Sequence, residues 1–200
     1  MVMRDDITVV IPHIPVRPES LLRSMYSVHL QTHPADAISV VTDTQRRGAG
    51  RTRNLALAMA RTQWVAFLDD DDLFHQHHLE TLLGHALETG ADVVYSSCRI
   101  THPRLGEIPP GHPGWEEWGR PGKPFDPELL RQRSYLPVTS LARRTLAQQS
   151  SFEPPPGSHY DDWGFYLGLL DLGAMFSHIN EVTWTWTHGD HNTSGQPDRW

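Results

Sequence analysis

The chain has a single cysteine, Cys98, so an intramolecular disulfide is excluded and a reducing compartment suits it. Cys98 follows an apolar run and reads as a small core residue. No apolar stretch approaches membrane-spanning length, and the first residues lack a signal-peptide pattern. A cytoplasmic location without a membrane span is therefore expected. A basic excess is missing too: 17 Lys and Arg face 24 Asp and Glu, a net charge of −7. That balance argues against a protein that holds nucleic acid by bulk charge. Repeats and a composition break are also absent. Two hundred residues, 38% of them apolar, suffice for one sizeable core and exclude disorder. One domain over residues 1–200 is expected.

What stands out is Trp64-Val65-Ala66-Phe67-Leu68 running into Asp69-Asp70-Asp71-Asp72. A short apolar run without polar alternation reads as a central strand covered on both faces. In open α/β sheets ligands bind beyond the carboxyl ends of such strands. Adjacent carboxylates repel unless a cation or water separates them. Oxygen-rich sets suit Mg²⁺ and Mn²⁺, which often share their coordination with substrate phosphates. The same four residues also read as a solvated acidic turn or a helix cap.

Strand-like and helix-like segments alternate around this run. Ile7 to Ile11 reads as a first strand closed by Pro12, and Pro18 to about His29 as a helix. A second strand, Ile38 to Asp43, precedes a helix over about Thr52 to Arg61. Leu79, Leu82, Leu83, Ala86 and Leu87 lie on one helical face that Gly90 ends, before a strand at Val93 to Ser96. This order predicts βαβ units and a mainly parallel sheet. Residues 101–128, rich in Pro, Gly, His and Trp, read as a long loop. Short elements follow: helices over Phe125 to Arg133 and Arg143 to Gln149, and a strand at Val138 to Leu141. Asp161-Asp162-Trp163 opens a helix to Leu172 that Gly173 stops. Val182 to Thr187 alternates as a half-buried strand should.

Four features thus occur in order: a strand ending in Asp43, the pair Arg53-Asn54, the segment Leu68 to Asp72, and Asp161-Asp162-Trp163. This order resembles the family 2 glycosyltransferases of the GT-A fold over residues 6 to about 191. The resemblance implies an α/β fold with a single GT-A domain, residues 1–100 holding a nucleotide-sugar and 101–200 the acceptor. It implies a metal-dependent, inverting hexosyltransferase that uses a UDP-sugar before a GDP-sugar, with Mn²⁺ or Mg²⁺ as cofactor. Pro12, Asp43, Arg53, Asp69 and Asp70 fall to the donor, Asp43 contacting the base. Asp69 and Asp71 match the outer positions of the D-x-D motif, and Asp71 falls to the metal. His188 or His191 matches a late histidine ligand, with no choice between them. Asp161 and Asp162 match the acidic pair whose second member usually serves as base. Backbone N–H groups at the helix start are expected to keep Asp162 ionised. Between Asp43 and Arg53 only Thr44 to Thr52 intervene, so a βα unit typical of the family is expected to be missing, and a compact version without the family's usual membrane helices or accessory domains is expected.

Each residue has a plainer reading. Asp43 caps a turn, and Asp161 and Asp162 are ordinary helix-start acids. Arg46, Arg47, Arg51 and Arg53 form a basic cluster able to hold a small anion, with Arg53 at a helix start where a cation is unfavourable without a partner. His75, His77 and His78 read as surface histidines, and Trp184 and Trp186 as core. Trp115 and Trp118 either stack on a sugar or pack the loop. Two other functions share such a sheet. A nucleotidyltransferase requires a Gly- and Lys-bearing phosphate loop that Pro12 to Arg17 does not supply. A catalytically silent sugar- or protein-binding module would not need the full acidic set.

Overall fold

The protein was analysed as a computed structural model, which describes residues 5–102, 106–108 and 123–187. Within them the chain runs β1 (Ile7–His13), α1 (Pro18–His29), β2 (Ala37–Thr42), α2 (Ala49–Met59), β3 (Trp64–Phe67), β4 (Leu73–Phe74), α3 (His78–Thr89) and β5 (Val93–His102). It continues through β6 (Gly106–Ile108), α4 (Pro127–Gln132), β7 (Ser140–Arg143), α5 (Arg144–Ala147), α6 (Asp161–Asp171) and β8 (Phe176–Thr187). One eight-stranded sheet has the order β2-β1-β3-β7-β5-β8-β4, with β6 also on β5. β2, β1 and β3 run parallel, as does the long β5–β8 pair, so most paired residues are parallel. β7 enters antiparallel between β3 and β5.

The unbroken apolar runs of β1 and β3 follow from burial on both faces. Ile7, Val9, Ile11, Trp64, Ala66 and Leu68 point to one core with Leu79, Leu82 and Ala86 of α3. Val10, Val65 and Phe67 point to a second core with Ala56 and Leu57 of α2 and Phe165, Tyr166 and Leu169 of α6. Successive side chains of a strand alternate between faces, so a strand with helices on both sides must be apolar throughout. Leu21, Met25 and Val28 of α1 close the first core. Cys98 is buried in it as a free thiol, as its sequence context implies. Gly90 and Gly173 end α3 and α6 with φ of 74° and 78°.

One helix and three strands depart most from the sequence expectation. α2 starts three residues before Thr52, at Ala49. β8 starts at Phe176 rather than Val182, and β5 reaches His102, into the stretch read as loop. Neither extension carries an apolar signature. The start of β8 pairs with Val93 to Ser96 of β5, and the end of β5 pairs with the end of β8 and with β6, with register shifts at Ser96/Ser97 and Ser97/Cys98. β4, two residues long, exists only by pairing with Thr185 and Trp184 of β8.

Because β1, β2 and β3 are parallel neighbours, Pro12, Asp43 and Asp69 lie at the same edge. β2 is the last strand in the order, and six residues connect it to α2. α6 approaches the 150–153 segment so closely that a Cβ on Gly164 would lie 1.7 Å from the Glu153 carbonyl oxygen. A backbone atom cannot step aside as a side-chain tip can. Gly164→Ala should destabilise the fold by roughly 1–3 kcal/mol in urea unfolding, the usual cost of overpacking. Gly84 of α3 has nothing within 4 Å of such a Cβ, so Gly84→Ala should instead stabilise by up to about 1 kcal/mol. Equal effects would refute the close-packing account.

Candidate active site

The strand ends border an open cleft lined by Pro12, His13, Ile14, Arg17, Asp43, Ala49, Thr52, Asp69, Asp70 and Asp71. Pro12 does not close β1: it pairs with Val41 inside the strand, which ends at His13. The Asp43 carboxylate accepts from the Arg47 and Gly48 N–H groups at 2.9 and 2.8 Å. It therefore caps the turn before α2 and lines the cleft as well.

Each residue of the acidic run has its own partner. Asp69 accepts from Arg53 Nη2 at 2.7 Å. Asp70 is buried, hydrogen-bonded to His13 Nδ1 at 2.7 Å and accepting from the Ile14 N–H at 3.0 Å and Arg17 Nη1 at 3.4 Å. Asp71 pairs with Arg17 Nη1 at 2.5 Å. Asp72 is buried and accepts from the Thr187 N–H at 2.8 Å, while its carbonyl accepts from Ser24 Oγ. Repulsion persists despite these partners. Burial pushes the Asp71 carboxyl up to about 7, Asp69 and Asp70 add to it, and Arg17 opposes it. Burial and then Asp71 push Asp72 well above the usual carboxylate range.

Arg53 is 2% exposed and lies in the second turn of α2, not at its start. Its two terminal nitrogens divide between Asp69 and, at 3.3 Å, Asp161. Burial opposes its charge, but Asp69 and Asp161 outweigh that and hold the guanidinium even more firmly protonated. The expected basic cluster therefore splits. Arg46, Arg47 and Arg51 are exposed, whereas Arg53 belongs to the interior with the carboxylates. The 150–153 segment is held to α2 by Asn54, whose amide oxygen accepts from the Phe152 N–H at 2.9 Å. Gly50 gives α6 room: a Cβ there would lie 2.6 Å from Asp161 Oδ2.

Asp162 corrects one expectation. The Trp163 N–H donates to its Oδ1 at 2.8 Å, as a helix start allows. Burial nevertheless dominates. It pushes the carboxyl up to about 7, Asp161 adds to the shift, and Arg53 and the Trp163 N–H only partly oppose it. Asp162 is not held ionised across the whole neutral range, and one helix-end N–H does not replace lost water.

His78 corrects another. It is fully buried, stacked on Phe74 at 4.0 Å and bonded through Nδ1 to Thr183 Oγ1, and burial pulls its pKa down to about 3. His77 is exposed and His75 half-buried, so the three form no common site. Trp184 is buried and Trp186 packs partly buried against the same core. His188, His191, Trp115 and Trp118 lie outside the described residues. His13 and Arg17 were not singled out from sequence. The signal for them was their place, just after the first strand of a parallel sheet.

Among the described residues no group of three His, Cys, Asp or Glu is arranged to hold a metal unaided. A metal that shares its coordination with substrate phosphates needs only one or two carboxylates. Asp69 and Asp71 lie in the same cleft with excess negative charge around them, a donor set that fits Mg²⁺ or Mn²⁺ in that manner.

The raised Asp162 pKa has a stability consequence. The unfolded carboxyl ionises near the ordinary 3.8 and the folded one near 7, so the native state holds the extra proton between them. Stability falls as pH rises through that window. Asp162→Asn should flatten the fall, gaining on the parent protein in urea midpoints from about pH 4 to about pH 7. A difference between the two proteins that is constant with pH would refute the burial account of Asp161, Arg53 and Asp69 around this carboxyl.

Comparison with known proteins places the chain. The mouse beta-1,4 N-acetylgalactosaminyltransferase 1 is 28% identical over 156 residues, 69% of this chain and 29% of that protein. The Escherichia coli UDP-Glc:alpha-D-GlcNAc-diphosphoundecaprenol beta-1,3-glucosyltransferase WfgD is 27% identical over 135 residues, 66% of this chain and 48% of its own. Among solved structures, S. aureus TarS 1-349 superposes with a TM-score of 0.67 at 18% identity, covering 91% of this chain and 60% of TarS. The same fragment in complex with UDP-GlcNAc gives a TM-score of 0.66 at 17% identity, covering 92% and 58%. That likeness establishes the GT-A fold. The chain spans less than two thirds of the length of each of these relatives. The family model described as Glycosyl transferase family 2 matches residues 30–150, which include Asp43, Arg53 and Asp69 to Asp72. The chain belongs to glycosyl transferase family 2.

Proposed function

We propose that the protein transfers a sugar from a nucleoside-diphosphate sugar to an acceptor hydroxyl with inversion at the anomeric carbon. The observation that carries this reading is Arg53, which pairs at once with Asp69 of the strand-end motif and Asp161 of the helix-start acids. One guanidinium thus brings a diphosphate-side carboxylate and a candidate base pair to the same cleft edge. Residues 1–100 supply the donor side, and α6 supplies the acceptor side. UDP is favoured as the nucleotide: the E. coli relative is named for UDP-Glc, and a fold neighbour was solved with UDP-GlcNAc.

The reaction divides among these residues. The acceptor oxygen attacks the anomeric carbon, and the bond from that carbon to the diphosphate oxygen breaks with its electron pair left on the diphosphate. The acceptor proton passes to Asp162. A base with a pKa near the working pH couples a usable ionised fraction to useful basicity, and about 7 meets that condition. Asp161, tied to Arg53, orients the pair. Asp43 faces the base and Asp70 braces the turn through His13 and Ile14. Asp71, with Asp69 beside it, would hold Mn²⁺ or Mg²⁺, and that ion would supply Lewis-acid stabilisation to the leaving diphosphate.

UDP with Mn²⁺ should raise the melting temperature, since a ligand at about a hundredfold its dissociation constant adds about 2.7 kcal/mol. An unchanged melting curve with both UDP and GDP would refute the donor site. Asp162→Asn should lower kcat about 10²- to 10⁴-fold while UDP–Mn²⁺ binding persists. Loss of nucleotide binding instead would move Asp162 to the donor side. Asp71→Asn should nearly abolish turnover with the fold intact; near-normal turnover would remove Asp71 from the metal.

A further inference from the structure

Arg17 is the residue of the cleft that the proposed reaction leaves without a task. It occupies the N-cap position of α1, yet its side chain makes no cap hydrogen bond. It turns instead to the acidic run, with Nη1 at 2.5 Å from Asp71 Oδ2 and 3.4 Å from Asp70 Oδ1. Both cleft carboxylates that fit a metal are thus already engaged by guanidinium groups: Asp69 by Arg53 and Asp71 by Arg17. The two arginines differ in what their carboxylates keep if they move. Arg53 is buried and shared with Asp161, so it cannot leave without unpairing two carboxylates. Arg17 lines the open cleft, and its Asp70 partner keeps His13 and the Ile14 N–H if Arg17 moves.

A divalent cation arriving at Asp71 meets Arg17 on the same carboxylate. Two cations on one carboxylate repel, so the paired guanidinium weakens the hold of Asp71 on a metal that arrives alone. A nucleoside diphosphate changes that balance, because its oxygens offer a guanidinium a bidentate partner. We propose that Arg17 is the resident counter-cation of the acidic turn: it competes with the divalent metal at Asp71 until a nucleoside diphosphate takes its guanidinium over. Metal and nucleotide then bind as a pair. The inference rests on the reading of Asp71 as a metal ligand and adds to it the residue that couples metal to donor. Arg17 is a positioning residue in this scheme.

The test is Mn²⁺ binding to the full chain, read from the electron paramagnetic resonance of free Mn²⁺, with and without UDP. Three proteins are compared: the parent, Arg17→Gln and Arg17→Lys. Without UDP, Arg17→Gln should bind Mn²⁺ at least about tenfold more tightly than the parent, an ordinary size for coupling between sites. UDP should strengthen Mn²⁺ binding much more in the parent than in Arg17→Gln. Arg17→Lys keeps the charge but not the fork, so it should fall between the two, and it serves if the Gln variant does not fold. A gain in Mn²⁺ affinity together with a smaller UDP effect identifies competition. Unchanged or weaker Mn²⁺ binding in the variants, with UDP–Mn²⁺ still bound by the parent, overturns the role of Arg17 alone. No Mn²⁺ bound by the parent even with UDP overturns the donor-site reading together with it.

Discussion

Everything at the cleft edge depends on balancing negative charge where parallel strands end. Asp69 to Asp72 arrive together because β3 stops at Phe67 and the chain turns at once, the Asp72 N–H donating to the Asp69 carbonyl. Asp161 and Asp162 come from α6, on the other side of Arg53. Two guanidiniums stand among these carboxylates, yet Asp71 and Asp162 both remain shifted up to about 7, by burial first and by neighbouring carboxylates after it. A folded protein keeps such strain only where the surroundings hold it, and shifted ionisable groups of this kind cluster at functional sites.

The architecture maintains that strain by stiffness. β1 and β3 are buried on both faces, so their ends cannot drift. Arg53 projects from α2, a helix packed on β1 and β2 and followed directly by β3. On the far side, Gly50 and Gly164 let α6 reach backbone contact, and Phe67, Phe152 and Phe165 pack as a cluster beneath it at 4.0 to 5.3 Å. The electrostatic site and the aromatic core are therefore one structure: Arg53 lies over the Phe152 ring at 4.8 Å while its nitrogens face the carboxylates. A cation held over a ring face also lowers the cost of its burial.

Much of this is legible from local pattern. α1 begins at Pro18 and ends at His29 as its N-terminal proline and apolar face indicate. The amphipathic repeat of α3 ends at Gly90, and the Trp64 run is a central strand. The ordered set of Asp43, Arg53, Asp69 to Asp72 and Asp161-Asp162 pointed to the family that the matched residues establish. What local pattern did not carry is pairing at a distance. The first half of β8 and the end of β5 have no apolar signature of their own: the former is a strand because it lies along Val93 to Ser96 of β5, the latter because it lies between the end of β8 and β6. His78 looks polar in sequence, but α3 turns it onto Phe74 and Thr183, 105 residues away from the latter.

By itself the sequence determined the periodicities, the helix ends and which residue types could serve at the site, because these depend on neighbours a few positions apart. Tertiary structure alone decided the partners. Arg53 lies 16 residues from Asp69 and 108 from Asp161, and Arg17 lies 54 from Asp71. The protonation of Asp162 was decided there as well. Helix-start position argues for a carboxylate, and burial next to Asp161 argues for the acid. Only the folded chain shows that burial is the larger of the two.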